Sequence, residues 1–490
     1  GSFYVFDTMK IQPAIDLAEA GKTINVDPGI FVEQLYVNSK PLTIKGSGRS
    51  TGTETIIQSP DNLPSSYSIG PNSYKPVILV KDSSNVTLQD LVVDGNSKGN
   101  NNNRFVGVGF FNSGGLISNL EIKNIQDNPF SGVQHGVALY VYNGDSQERE
   151  LEVANSKIVD FQKNGTVFYG ENLTVDFHDN EIIGKGPTSI TAQNGIQYSG
   201  GSSGEVKWNT VSGIAYTGSG WTASGILLYE IGNVTADNNE VKNSQTSIYL
   251  YGGSATITNN TINTSKSGIG EGLYLTGIAA ADPPFLPPSP LDTQPSLGER
   301  SATNKTNDIS IMDSGDVVII QNNLVIGGGD DPTSVGIGAW AGYTDEDVSF
   351  TITGNEVYGW GYGLDISKCI SDCGAGEFSS ITLKENKIHQ NNVGMYTNVE
   401  ADASLNWWGT LSWFGYGSVA GIKDLFEVDG DGSVDWQPWH DEELALSLDI
   451  PAITYADDDN AGKAEGEPGA NGGIFGYDAF ATIEDALNHV

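Results

Sequence analysis

The sequence predicts an all-β fold, a right-handed parallel β-helix solenoid with an N-terminal capping helix. Three observations predict it. A corner motif, Asn, any residue, then Ile or Val, recurs along the chain. A second strand opening with Gly and an aliphatic residue follows many of those corners. Both segments alternate with period two, and Gly and Asn interrupt every run that could become a helix.

The corner motif reads Asn180-Glu181-Ile182, Asn209-Thr210-Val211, Asn239-Glu240-Val241, Asn260-Thr261-Ile262, Asn323-Leu324-Val325, Asn355-Glu356-Val357 and Asn386-Lys387-Ile388. Most steps lie between 21 and 32 residues. The step of 63 from Asn260 to Asn323 fits two coils, or one coil with an insertion. A polar residue turning a corner inside a solenoid needs partners for its amide. Asn supplies a donor and an acceptor at once, so equivalent residues of stacked coils can bond one another. The second strand opens at Gly136-Val137, Gly195-Ile196, Gly225-Ile226, Gly336-Ile337, Gly363-Leu364 and Gly394-Met395. An antiparallel sandwich would show hairpin signals instead of one repeated corner.

Three segments follow. Residues 1–26 form an N-terminal segment and capping helix, in which Ile11, Ala14, Ile15 and Ala18 share one face. Residues 27–450 form the β-helix, with a Pro-rich side loop at 277–310 and a Trp-rich closing segment at 405–440. Residues 451–490 read as an acidic linker and the start of a further module, because Ile483, Ala486 and Leu487 repeat the apolar face of the first helix.

The chain of 490 residues carries 61 acidic and 24 basic residues, a net charge of −37. Such a surface repels nucleic acid and anionic membranes. It suits saline surroundings or divalent cations. No apolar stretch is long enough for membrane insertion. The two cysteines, Cys369 and Cys373, are too few for a disulfide framework; a small loop disulfide and two free thiols both remain open.

The opening IQPAID…TINVDPGIFVEQ…LTIKGSG, the Asn-x-Ile/Val coils, and Leu405-Asn406-Trp407-Trp408-Gly409 followed by Val434-Asp435-Trp436-Gln437-Pro438-Trp439 resemble the pectin-lyase-like parallel β-helix superfamily of bacterial surface and secreted proteins. The resemblance covers most of residues 10–440. It implies the fold and leaves activity open, because that superfamily holds lyases, glycosidases, esterases, epimerases and adhesins. Its catalytic signatures are incomplete here. Gly29-Ile30-Phe31-Val32-Glu33 approximates an esterase-like start without the later aspartate and arginine motifs. Asp330-Asp331 stands without the rest of the polygalacturonase-like set, and Gln134-His135-Gly136 precedes it in the wrong order.

Aligning the second strands places two outward columns on one wall. The first holds Ala138, Gln197, Leu227, Tyr249, Tyr274, Gly338, Asp365 and Tyr396; the second holds Tyr140, Ser199, Tyr229, Tyr251, Thr276, Trp340, Ser367 and Asn398. Solvent-facing rings in register suit an extended polysaccharide, whose apolar sugar faces stack on aromatic side chains. Alternatively the rings pack on one another beneath a covering loop. The expected substrate-binding set is Tyr140, Tyr229, Tyr249, Tyr251, Tyr274, Trp340 and Tyr396. If the wall catalyses lyase or hydrolase chemistry, Asp365, Asp330 and Asp331 are the acids to consider. Asp429, Asp431, Ser433 and Asp435 alternate with glycines as in a calcium loop, although the residue twelve positions along is His440 and not a bidentate Glu; an acidic turn is the other reading. The expected role is an extracellular polysaccharide-engaging module of a larger protein. A lyase or glycosidase and a purely structural stalk are the alternatives.

Overall fold

The computed structural model describes residues 2–269, 274–281, 315–342, 347–369 and 375–408, with the backbone alone of short segments at 434–435, 455–456 and 479–480. The chain divides into two compact units. The first comprises Gly1–Ala255, Gly268–Leu273 and Phe285–Ser314; the second comprises Thr256–Ser267, Tyr274–Pro284 and Gly315–Val490.

Each unit is a parallel β-helix of three-strand coils. In the first unit a representative coil runs Leu173–His178, Glu181–Thr188 and Asn194–Ser199. Each strand pairs in parallel with its counterpart in the neighbouring coils, which builds three sheets. In the second unit a coil runs Asp316–Gln321, Leu324–Gly327 and Val335–Ala341, and the next runs Val348–Thr353, Glu356–Tyr358 and Tyr362–Lys368. These give the first, second and third sheets of each unit. Thr261–Thr264 pairs directly with Leu324–Gly327, so the long step between corners is one coil with an insertion.

The interior is made of aliphatic and aromatic files. Val153, Phe177, Val206 and Ala236 stand in register on the first sheet and are all buried. Ile158, Ile182, Val211 and Val241 do the same on the second. Burying each Val or Ile contributes about 1.5–3 kcal/mol, the main force holding the coils together. Where the third sheet begins, a glycine file includes Gly107, Gly165, Gly195 and Gly225 in the first unit, and Gly277, Gly336 and Gly363 in the second. A Cβ there would come within 2.4–2.7 Å of a carbonyl oxygen one coil away. This explains the recurring glycine ahead of an aliphatic residue.

The asparagine corners stack as expected. In the first unit Ser156 N–H donates to Asn180 Oδ1 at 2.8 Å, Asn180 Nδ2 donates to Asn209 Oδ1 at 3.1 Å, and Asn209 Nδ2 donates to Asn239 Oδ1 at 3.0 Å. In the second unit the file runs Asn260, Asn323, Asn355, Asn386 and Asn406, each linked to the next at 2.9 Å. Asn406 therefore continues the ladder, although the sequence reading grouped it with the closing segment. Trp407 and Trp408 beside it are buried; Trp413, Trp436 and Trp439 lie outside the described residues. The residue before each ladder position, Ser156 included, adopts a left-handed backbone: Asn155, Asp179, Trp208 and Asn238 in the first unit have φ from 53° to 56°. Asn and Asp tolerate that conformation because their short polar side chains bond locally.

The predicted capping helix forms at Gln12–Leu17, with Ile11, Ile15 and Ala18 buried. It lies against Leu35–Asn38, the terminal strand of the third sheet. Gln12 binds both main-chain groups of Tyr36, receiving its N–H at 2.7 Å and donating to its carbonyl at 3.1 Å. A side-chain amide thus satisfies an open strand edge. The first sheet ends differently, on the added strand Phe3–Val5 paired with Lys22–Val26.

One expectation of segment bounds needs correction, and one open alternative closes. The Pro-rich loop does not begin at residue 277: Thr276–Ala281 is a strand of the third sheet paired with Val335–Ala341. The rest of that segment up to residue 314 is outside the described residues. Cys369 is disulfide-bonded, and Cys373 lies outside the described residues.

Candidate functional site

The outer wall of the third sheet is where the sequence columns were placed, and its register in the first unit differs from the alignment. Val137 pairs with Asn164, which pairs with Asn194, so Tyr140 falls in the file of Val167, and not two positions further on. Tyr142 takes the place given to Tyr140, in a file that runs Phe111, Tyr142, Tyr169, Ser199, Tyr229 and Tyr251. Gly136-Val137 imitates the strand opening, whereas Ala138 occupies the position that glycine holds in the neighbouring coils.

The rings of this wall are largely closed off. Tyr140, Tyr229 and Tyr249 are buried, which overturns the expectation that they face solvent. Two causes are visible. The antiparallel hairpin Tyr67–Ile69 with Asn72–Lys81 brings Tyr67 onto Phe111 at 4.3 Å and Tyr74 against the edge of Tyr140 at 5.0 Å. Rings of successive coils also stack on one another, Tyr142 on Tyr169 at 5.6 Å and Tyr229 on Tyr251 at 5.2 Å. Tyr142 and Tyr169 remain half-buried, and burial raises their hydroxyl pKa values.

Between the aromatic stretches the first unit's wall turns polar. Asn164 Nδ2 donates to Gln197 Oε1 at 2.6 Å, Asn194 Nδ2 donates to the same oxygen at 3.4 Å, and Gln197 Nε2 donates to Ser199 Oγ at 3.1 Å. All four residues are buried, and the Oδ1 atoms of Asn164 and Asn194 have no protein donor. At the corner leading into the same strands, Asp127 Oδ1 lies 2.9 Å from His135 Nε2, and Ser131 Oγ donates to Asp127 Oδ2. Gln162 accepts Asp127 N–H at 2.9 Å and donates to Val133 O at 2.8 Å, fastening the overhanging loop. Lys163 beside it is buried and donates to Ala192 O at 2.5 Å; burial lowers its pKa to about 7. Sequence reasoning did not bring Asp127, Ser131, Gln162 and Lys163 to this wall, because they sit between strands and outside the repeat.

In the second unit the wall carries Asp365, in register with Gly338 on one side and Tyr396 on the other. Its carboxyl is half-buried, and burial raises its pKa to about 6 against hydrogen bonds from Ser367 and Trp340, which favour the charged form. Tyr362 and Tyr396 stand edge to face beside it at 5.6 Å and are half-buried. Trp340 is buried, so it supports the carboxylate and offers no open ring face. A carboxyl that changes charge near pH 6 both donates to and accepts from a hydroxyl-rich ligand.

The other expected residues separate from this point. Asp330 accepts the N–H groups of Lys266 and Ser267, both at 3.1 Å, and holds a turn. Asp331 is buried, pairs with Lys266 Nζ at 3.0 Å and accepts Thr333 N–H at 3.0 Å. Tyr274 is 73 % exposed but precedes the strand Thr276–Ala281, and Ala279 takes its place in register with Gly338. Asp429, Asp431 and Ser433 lie outside the described residues, and of Asp435 only the backbone, paired with Asp402, is described. Among the described residues no group of three or more His, Cys, Asp or Glu side chains is arranged to hold a metal ion.

No family model matches the chain, and no curated protein does either. Among solved structures it is similar to the GH136 lacto-N-biosidase from Eubacterium ramulus, at 12% identity over 79% of this chain and 67% of that chain, with a TM-score of 0.45. It is also similar to the catalytic unit of a thermostable GH87 alpha-1,3-glucanase from Streptomyces thermodiastaticus strain HF3-3, at 15% identity over 78% and 68%, TM-score 0.38. The Dettilon tailspike protein is a third, at 14% identity over 77% and 68%, TM-score 0.40. With TM-scores below 0.5, these likenesses do not bear on function.

Proposed function

We propose that the chain is an extracellular glycan-engaging β-helix module whose contact point is Asp365 with Tyr362 and Tyr396. The observation that carries this reading is a half-buried carboxyl, raised to about 6 by burial, fixed by Ser367 and Trp340 next to Tyr396, whose ring packs edge to face with Tyr362. Tyr edges and hydroxyls supply the mixed apolar and polar contacts a sugar ring needs. The net charge of −37 favours neutral glycans over polyanionic ones. Among the described residues no helix is long and apolar enough to cross a membrane.

Affinity electrophoresis against neutral and acidic polysaccharides tests it. Tyr396→Ala and Asp365→Asn are each expected to weaken retention by a neutral glycan about tenfold, the effect of losing roughly 1.4 kcal/mol of contact. Retention unchanged in both variants would sink the reading.

Hydrolysis is a second reading, favoured by the same carboxyl, since a pKa near 6 suits a general acid. It requires a second carboxylate about 5–9.5 Å away. Asp330 and Asp331 do not supply a free one, being committed to their own turn. Release of reducing ends by the wild-type chain, abolished in Asp365→Asn, would favour hydrolysis over binding.

A further inference from the structure

The first sheet of the first unit carries a separate polar and aromatic surface. Glu152, Asp176 and Glu205 stand in register on successive strands, pointing outward. Beside them His178 and Lys207 form the next outward file. At the corner ending this file is Trp208, 53 % exposed and the one exposed tryptophan among the described residues. Lys207 Nζ lies 5.4 Å from the Trp208 ring centroid, and the His178 ring stands perpendicular to it at 6.5 Å. Lys207 is held by Glu205 and by Asp176 Oδ1 at 3.3 Å, and His178 Nε2 lies 3.4 Å from Glu152 Oε1. The indole thus has two polar side chains against it and leaves about half its surface to solvent.

Trp208 also occupies the left-handed corner position, at φ 56°, where neighbouring coils place Asn155, Asp179 and Asn238. Bulky side chains rarely adopt that conformation. The indole is more than half exposed and is not among the buried residues of the core.

We propose that Trp208 is a stacking platform for a pyranose ring that carries no negative charge, neutral or amino-substituted, with the polar groups of Glu152, Asp176 and Lys207 meeting its hydroxyls. Sugar C–H faces pack on an exposed indole, the flanking carboxylates accept from equatorial hydroxyls, and Lys207 has one ammonium hydrogen beyond its two carboxylate partners to donate, while His178 is held by Asp179 at 2.7 Å and Glu152. Four carboxylates, Glu152, Asp176, Asp179 and Glu205, against one lysine and one histidine repel a uronate and tolerate or attract an amino sugar. The site lies on another sheet and in another unit from Asp365, and does not depend on that reading.

Hexamers of glucose, glucosamine and galacturonic acid, titrated calorimetrically, test it. The comparison is made in an Asp365→Asn, Tyr396→Ala background with and without Trp208→Asn, so third-sheet contacts do not enter. Asn is what two neighbouring corners already carry, so Trp208→Asn retains the fold, which circular dichroism checks. Glucose or glucosamine hexamers are expected to bind at least about fivefold more weakly once Trp208 is replaced. Equal affinity with and without Trp208, tightest binding of the galacturonic acid hexamer, or binding of none of the three would overturn the proposal.

Discussion

Replacing Asn209 by alanine is expected to destabilise the folded chain by about 3–5 kcal/mol, the cost of leaving several buried polar groups unpaired. Asn209 Oδ1 accepts Asn180 N–H at 3.0 Å and Asn180 Nδ2 at 3.1 Å. Its own Nδ2 donates to Phe177 O at 2.9 Å and Asn239 Oδ1 at 3.0 Å. Truncation therefore takes these bonds from two donors of Asn180 and from Phe177 O, and leaves Asn239 Oδ1 only the Asn209 main-chain N–H at 3.1 Å, in surroundings closed to water. Asn209→Asp should be worse near neutral pH. A carboxylate there would still accept from Asn180, but would face Phe177 O and Asn239 Oδ1 with no proton to give. Acidification should recover part of that loss, since the protonated acid has one hydrogen to donate. Urea unfolding followed by tryptophan fluorescence at pH 4.5 and 7.5 measures both effects. An alanine variant costing under about 1 kcal/mol would show the ladder to be dispensable.

Lys163→Met should act in the opposite direction. Lys163 is buried, its Nζ donates to Ala192 O, and among the described residues no carboxylate pairs with it. Burial holds its pKa at about 7, below the 10.5 of a free lysine. Between those values the unfolded chain binds more protons than the folded chain, so stability rises with pH across that window. Below pH 7 the folded chain carries the whole cost of the buried ammonium, about 4–5 kcal/mol at roughly 1.4 kcal/mol per pH unit. Methionine removes that cost and loses one hydrogen bond worth about 1 kcal/mol. The variant is thus expected to be about 2–4 kcal/mol more stable at pH 6 to 7, with the advantage fading toward pH 10. Denaturation midpoints of both chains across pH 6 to 10 decide it: a pH-independent difference would mean that Lys163 keeps an ordinary pKa when folded.

The fold was legible because its constraints repeat. Asn at the corner and Gly at the opening of the third strand recur for steric and hydrogen-bonding reasons that any coil must meet. The wall was legible in direction but not in exposure. Period-two alternation shows that Tyr229 and Tyr249 leave the core. It says nothing of what folds over them, and Tyr140 is covered by a hairpin distant in sequence, ending at Lys81. Register failed where chance resemblance competed: Gly136-Val137 imitates the strand opening that Ala138 occupies, and Tyr274 was aligned where Ala279 stands. Asp365 was legible because it is the one charged residue in its aligned column. Trp208 was not, since its peculiarity lies in the backbone angle of a corner where the pattern shows only a variable residue.

The hydrogen bond from Asn260 to Asn323 joins residues 63 apart in sequence at 2.9 Å, as short as the bonds between asparagines 31 or 32 apart. The stack is thus indifferent to how much polypeptide passes between one bend and the next. Doubling such an excursion costs only about 0.6 kcal/mol in closure entropy. A gene encoding this fold can accept long in-frame additions between bends and keep every later side chain facing as before, whereas a one-residue slip inside a strand would reverse them all.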